Sequence, residues 1–360
     1  MFLKSIYCKN YRNFESLNLE FQEGRNLVIG DNSVGKTNLI EMVYFLSTFS
    51  SFRTQRMENL IHFGKDFFNI SGVYGDTEVK VKYGGKKEIF VNDLMQNSIK
   101  EAFGTIPVVA LTNEDVEIIN GSPGDRRYFM NISISLCDRK YLNYLYEYRR
   151  AKKQRNRLLL DAKKRRRFGD FELWEKQLIK AIYPIVQARS YFIDKLSFYT
   201  REIFEDLTGK TVAVKYMPGA DYDNIEADFN RKRQQEIEAG YTLLGPHRDE
   251  IAILLRGHPA KEAASFGVKK LLIASLKMGF SKVLTELREE EPILLVDEML
   301  GGLDKRNTAS LTEFLGNAKQ VLITTTKEDI GFGENCSRYI IEKRDGASFI
   351  SKCAEKIRTF

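Results

Sequence analysis

The chain has 360 residues, 43% of them apolar, enough to fill a core without disulfides or a structural metal. That composition excludes a mainly disordered protein, and no run approaches the eighteen or so apolar residues of a membrane span. The formal charge is +7, but thirteen Lys and Arg against two acids between Arg139 and Arg167 place +11 in one segment, leaving −4 for the other 331 residues.

A basic segment on a near-neutral body points to a polyanion partner, although a solvated helix face carries the same pattern. Cys8, Cys137, Cys336 and Cys353 form no CxxC pair and no His/Cys metal spacing. The first residues alternate like a strand and lack the apolar stretch of a signal peptide. The expectation is a soluble, cytoplasmic protein with reduced thiols.

In chain order, alternation predicts strands at 2–7, 15–21, 67–74, 77–83 and 105–111, interrupted by one helix from Gly35 to about Leu46. Residues 124–208 change character and predict long helices. Tyr141, Tyr144, Tyr148, Ala151 and Leu158 follow a 3/4 spacing, with Arg155 filling one slot; Phe171, Trp174, Leu178, Ala181, Ile185, Ala188 and Phe192 repeat it. Joined near Arg167-Phe168-Gly169-Asp170, they predict an antiparallel hairpin with a basic tip. Strands at 250–256, 293–297 and 320–325 alternate with helices at 267–288 and 305–316. The resulting division is an ATPase lobe in two parts, 1–122 and 241–360, around a helical insertion, 123–240.

Leu27-Val28-Ile29 runs into Gly30-Asp31-Asn32-Ser33-Val34-Gly35-Lys36-Thr37, the G-x-x-x-x-G-K-[ST] phosphate loop between strand and helix. Terminal glycines let successive backbone N–H groups face phosphate oxygens, and the following helix adds its positive end. Lys36 bridges β- and γ-phosphates in such a loop, and the Thr37 hydroxyl holds Mg²⁺. With Asn38, these residues are the candidate ATP contacts.

Ile293-Leu294-Leu295-Val296 is an apolar run suited to a buried parallel strand, and it ends in Asp297-Glu298. There Asp297 supports Mg²⁺ and Glu298 polarises the attacking water, giving Lys36, Asp297 and Glu298 as catalytic candidates. Leu303-Asp304 stands where ABC-class ATPases carry a D-loop, and Asp304 also suits the cap of the helix beginning at Lys305. About 260 residues separate loop and acidic strand, the signature of an α/β, ABC-type P-loop ATPase head with an inserted helical lobe in the form of a short coiled-coil hairpin.

Four further stretches carry a resemblance: Lys9-Asn10-Tyr11-Arg12-Asn13-Phe14 in the opening strand pair, Asn120-Gly121-Ser122-Pro123-Gly124-Asp125-Arg126-Arg127, Leu244-Gly245-Pro246-His247-Arg248-Asp249, and Thr324-Thr325-Thr326. Through them the chain resembles, over nearly its whole length, the RecF family of recombination-mediator ATPases in bacterial DNA repair, which have SMC-like ABC heads. The resemblance implies an ATP-dependent homodimer, binding to duplex, gapped or tailed DNA, and partners such as RecR that help load RecA. It places Arg12 and Asn13 beside the nucleotide, against the alternative of an ordinary strand-end turn.

The resemblance also places a trans signature at Ser265-Phe266-Gly267-Val268-Lys269-Lys270, with Ser265, Gly267 and Lys269 as contacts and Leu303-Asp304 completing the trans face. Val268 departs from the family's Gln, and Gly301-Gly302 replaces a polar pair, so slow hydrolysis is expected. Thr325 or Thr326 occupies the place of the ABC switch histidine.

His247 admits a place near the nucleotide or dimer surface, or a structural role. Arg126 and Arg127 admit an acidic partner or local pairing. From charge alone, Arg149, Arg150, Lys152, Lys153, Arg155, Lys163, Lys164, Arg165, Arg166 and Arg167 are the DNA-binding candidates, with a protein-docking tip as the other reading. A transporter-type ABC subunit driving a membrane partner is the rival function. The degraded signature and the basic hairpin argue against it, and no acidic metal cluster beyond the Asp297-Glu298 pair suggests a nuclease.

Overall fold

Strand Leu3–Tyr11 buries Leu3, Ile6 and Cys8 and turns back through Arg12 and Asn13 into Phe14–Glu20. Because Tyr11 pairs directly with Phe14, Arg12 and Asn13 are the two tip residues of a tight hairpin, and Arg12 takes the left-handed φ of 53° such loops use. The computed structural model describes residues 1–165, 169–299, 301, 305–326, 336–344 and 346–353.

The chain divides into two compact units: residues 1–116, 206–208 and 265 onward form the first, and 117–205 with 209–264 the second. Residues 241–264, expected in the ATPase lobe, therefore cluster with the helical unit. The cause is pairing: strand Glu250–Leu255 lies antiparallel to Val212–Met217, a strand the periodicity did not reveal.

The first unit holds two sheets. One is antiparallel, in the order Phe14–Glu20, Leu3–Tyr11, Phe68–Tyr74, Thr77–Tyr83, Lys87–Val91, Leu94–Met95. The other runs Ala347–Lys352, Ser337–Arg344, Gly24–Ile29, Gln320–Thr325, Ile293–Asp297, Val108–Leu111, and its central strands are parallel. Ile293–Asp297 and Gln320–Thr325 are buried along their whole length, as their continuous apolar runs require. Register aligns Ile29 with Thr325 and Thr324 with Asp297, bringing three strand ends to one edge, where open α/β sheets bind ligands. Helix Lys36–Thr48 follows the first of these strands and is buried over most of its surface.

In the second unit, helix Pro123–Cys137 leads into two long arms, Arg139–Arg165 and Phe171–Thr208. Asp170 caps the second arm by accepting from the Leu173 N–H at 3.1 Å, and left-handed Gly209 ends it. The seam differs from the sequence spacing by one position in places. Leu145 and Leu159 are buried where Tyr144 and Leu158 were expected, and Glu175 and Arg189 take slots read as Trp174 and Ala188. Helix Ile225–Ala239 packs on the first arm, and its Glu236 is the reason charge is tolerated in this seam. Arg166 and Arg167 lie outside the described residues, as does the side chain of Arg165.

Candidate nucleotide site

Two left-handed residues, Ser33 at φ 64° and Gly35 at φ 112°, curl the loop after Ile29 back over the start of helix Lys36–Thr48. Such alternation turns backbone N–H groups toward a common centre, the geometry of an anion nest. Gly35 suits its φ of 112°, where a side chain would be strained and a Cβ would lie 2.3 Å from Asn13 Nδ2. Gly30 is equally constrained, since a Cβ would lie 2.5 Å from the Ile341 carbonyl oxygen.

Lys36 is 3% exposed and donates to the carbonyls of Gly30 at 2.8 Å and Asp31 at 2.7 Å. Its ammonium also lies 2.8 Å from Glu298, which sits at a left-handed φ of 53° just after the acidic strand. Thr37 donates its hydroxyl proton to Asp297 Oδ2 at 2.7 Å, joining residues 260 apart in sequence. Thr324 holds the other oxygen at 2.6 Å. Burial raises the Asp297 carboxyl above its ordinary range, and the Thr324 and Thr37 hydroxyls oppose that shift by favouring the charged form. Thr325 stands beside the loop, its carbonyl accepting from the Gly30 N–H at 3.2 Å, while Thr326 is exposed.

Beneath the loop, Asn13 donates to the Val34 carbonyl at 3.0 Å and to Ser348, and accepts from Asn38 Nδ2 at 2.6 Å. Ser348 also donates to the Val34 carbonyl at 2.5 Å. Arg12 forms a two-bond pair with buried Glu41, at 2.7 and 2.8 Å, and donates to the Asn59 carbonyl. The strand-end turn and the position by the loop are thus the same feature, and Asn13, not Arg12, makes the loop contact among these bonds. Ser348, Thr324, Glu41 and Arg53, which donates to Asn38 at 2.8 Å, were not legible from sequence. Ser348 and Arg53 come from a strand and a loop that carry no motif, while Glu41 on the helix and Thr324 in the Thr-Thr-Thr stretch lie within motif segments that say nothing of these contacts.

Ser265 is the exposed N-cap of helix Phe266–Arg288, and Gly267 has open space where a Cβ would be. Phe266 is exposed, and Lys270 lies 5.3 Å over its ring while donating to the Gly301 carbonyl at 2.6 Å. Val268 and Lys269 are half-buried in the same first turn. Leu303 and Asp304, the expected D-loop, lie outside the described residues.

The profile of the RecF/RecN/SMC N-terminal domain family matches residues 2–345. A DNA replication and repair protein RecF from Clostridium botulinum is 32% identical over 348 residues, covering 92% of this chain and 94% of the other. The chain belongs to the RecF family. A second relative of the same description, from Moorella thermoacetica, is 32% identical over 332 residues and 90% of each chain. Among solved structures, the recombination mediator protein RecF-ATP in the RecFOR pathway superposes with a TM-score of 0.88 at 27% identity over 98% of both chains. An SMC head bound to the C-terminal winged-helix domain of ScpA shares the fold at TM-score 0.60 and 14% identity. The expectation of an ABC-type head with a helical insertion holds.

In this RecF-family chain the basic first arm is not uniform. Arg149, Arg150, Lys153, Lys163 and Lys164 are exposed and Lys152 is half-buried. Arg155 is not a DNA-facing residue: it is fully buried, bound to Glu175 at 2.8 Å, to Glu236 at 2.5 Å and to Thr242 at 3.1 Å. It filled a seam slot because two buried carboxylates await it there. His247 is structural, meeting Tyr148 at 2.5 Å and the Thr242 carbonyl at 3.1 Å. Burial, with Lys152 nearby, lowers its pKa to about 4, so it is neutral at physiological pH. Arg126 and Arg127 pair locally, with Glu250 and with the Asp249 carbonyl. Among the described residues no helix is long and apolar enough to cross a membrane.

Proposed function

We propose that the chain is an ATP-dependent DNA-binding switch of recombinational repair and replication-gap processing. The observation that carries the nucleotide half is the joining of Thr37 to Asp297 at 2.7 Å with Lys36 beside Glu298 at 2.8 Å. One hydroxyl and one carboxylate at the mouth of a glycine-constrained nest fit a Mg²⁺ ion, so Thr37 and Asp297 would hold it beside phosphates cradled by residues 30–38. When bound, Mg·ATP supplies the transferable γ-phosphoryl group and the charge that draws its ligands together.

The chain's own residues do the rest. Lys36 exchanges the loop carbonyls for phosphate oxygens, which releases Glu298 to orient a water as general base. Asn13 and Ser348 fix the loop from below. Ser265 and the N–H groups at Gly267 present a helix start to the γ-phosphate of a second copy, closing a head-to-head homodimer. Val268 offers no hydrogen bond there, so closure is weak and hydrolysis slow. Exposed basic residues of the first arm around Arg149 and Arg150 contact the DNA backbone, giving affinity without sequence reading and a steep salt dependence. The 32%-identical RecF relatives and the RecF-ATP structure, described as part of the RecFOR pathway, support the repair assignment, and the RecR-type mediator rests on the family resemblance of the sequence.

Duplex binding followed by fluorescence anisotropy, with and without Mg·ATP and alongside Lys36→Met, tests the switch. Binding that requires ATP, is lost in the variant and falls with salt is the expected result. Equal binding in all three conditions would show a basic surface uncoupled from the nucleotide.

A further inference from the structure

Cations from three segments converge within the second unit. Arg127 comes from helix Pro123–Cys137, Arg149 and Lys152 from the first arm, and Arg248 from the short turn Pro246–Arg248. One frame ties Arg127, Lys152 and Arg248 together, and Arg149 directly follows Tyr148, a member of that frame, in the chain. Arg127 Nη1 donates to the Asp249 carbonyl at 2.9 Å, and Lys152 Nζ lies 5.8 Å from the Tyr148 ring centre. The Tyr148 hydroxyl meets His247 Nδ1 at 2.5 Å, and Arg248, next in the chain, lies 5.8 Å from the Tyr241 ring centre. Gly245 makes the approach possible: its φ is 125°, and a Cβ would sit 2.5 Å from the Tyr148 hydroxyl.

The acids of the same segment do not neutralise this group. Asp249 is fully buried, where it accepts from Arg189, Tyr216, Tyr222 and the Gly219 N–H. Glu250 is held by Arg126 through two hydrogen bonds. The excess positive field is felt inside the cluster: burial and then the charges of Arg149, Arg248 and Arg127 lower the Lys152 ammonium below its ordinary value. Like charges gathered this closely repel one another, and an anion bound among them removes that repulsion.

We propose that Arg127, Arg149, Lys152 and Arg248 form a composite clamp for the phosphate backbone of DNA. It lies away from the hairpin tip, since Lys152 precedes Lys163 by eleven residues, roughly 16 Å along a helix. Guanidinium groups suit phosphate because their planar donors engage two oxygens at once. The proposal rests on the DNA-binding reading above and deepens it by naming the residues that grip. It also gives the Gly-Pro-His-Arg-Asp segment a purpose: Asp249 and His247 anchor the turn, and Arg248 is the residue it presents.

The test is anisotropy of a labelled duplex with the full chain and Mg·ATP, between about 50 and about 200 mM salt. Arg149→Gln/Arg248→Gln changes two exposed side chains, and a thermal melt checks that it folds. This pair is expected to weaken binding at least about tenfold and to flatten the log–log salt slope by about two. Arg149→Lys/Arg248→Lys should recover most of the affinity, and Lys163→Gln/Lys164→Gln should lose no more than about threefold. If the wild type binds and the Gln pair binds equally well, or the tip pair loses as much, the clamp is overturned while the DNA reading stands. Undiminished duplex binding with lost binding of a poly-glutamate probe would make the cluster a docking site for acidic protein, and would also overturn the clamp. A wild type that binds no duplex at any salt removes the DNA reading and the clamp together.

Discussion

Lys36 in the first unit and Arg155 in the second are both nearly withdrawn from water, at 3% and 0% exposure, yet their surroundings serve different ends. Lys36 is held by two loop carbonyls and by Glu298, whose side chain is 35% exposed, partners that a phosphate can replace. Arg155 is held by Glu175 and Glu236, whose side chains are 8% and 0% exposed, and no ligand can reach it without unfolding the seam. Arg189 repeats the second pattern with Asp249 and the Pro246 carbonyl. The lesson is that a cation's role follows from what already occupies its donors. A buried arginine with two buried carboxylates is structure, and a lysine held by loop carbonyls and a partly exposed carboxylate is a candidate ligand site.

That contrast breaks most visibly at Arg155. Arg155→Ala takes the guanidinium from buried Glu236, while Glu175 retains Arg233, and should cost about 3–5 kcal/mol in chemical denaturation. The salt slope of DNA binding should stay unchanged in the fraction that folds. A stable Arg155→Ala protein with weakened DNA binding would place this arginine on the surface and reverse the comparison.

At the other pole, Glu298→Gln removes the proposed base while sparing the loop. Single-turnover hydrolysis should slow at least about a hundredfold, with ATP still bound. Unchanged turnover would mean that Glu298 serves only as the partner of Lys36. A smaller effect is expected beneath the loop, where Ser348→Ala deletes a hydroxyl shared by Asn13 and the Val34 carbonyl. Loss of about 1 kcal/mol, or roughly fivefold in ATP affinity by calorimetry, is the expected outcome; wild-type affinity would show that Asn13 alone positions the loop.

His247 sharpens the structural side of the contrast by pH. Its pKa falls from the ordinary 6.5 to about 4 in the folded chain, so between those values the unfolded state binds more protons. Its contribution to stability is complete above about pH 6.5 and is lost progressively as pH falls toward about 4. Denaturation midpoints measured across this window should decline, and His247→Gln should flatten the decline. An equal slope in the variant would assign the acid sensitivity to other groups.

Much of the candidate nucleotide site was legible because its chemistry is written in contiguous residues. Gly30 through Thr37 and the apolar run into Asp297-Glu298 specify their own local geometry: a strand, a glycine-bounded turn and a helix start. Ser348 was not legible, since a serine in an edge strand has no local feature that points to Asn13, and the Thr324 stretch was legible while its bond to Asp297 was not. Arg155 shows the opposite failure. Its charge, counted with its neighbours, suggested a surface, while its place in the 3/4 spacing already put it in the seam, and burial decided for the spacing. The one-position drift from Tyr144 to Leu145 and from Leu158 to Leu159 has the same origin. A third helix, Ile225–Ala239, widens the buried stripe beyond a two-helix seam.

By itself, then, the sequence determined the phosphate loop, the acidic strand end, the ABC-type division around a helical insertion and the existence of a basic arm. These follow from short-range propensity, hydrophobic period and charge count, all of which act over a few residues. Only the tertiary structure decided which cations remain available. Saturation of a guanidinium depends on carboxylates 20 and 81 residues away in sequence, and on strands such as Val212–Met217 and Ala347–Lys352 that supply partners without announcing them. Burial and pairing are properties of the assembled core, and no local pattern encodes where that core closes.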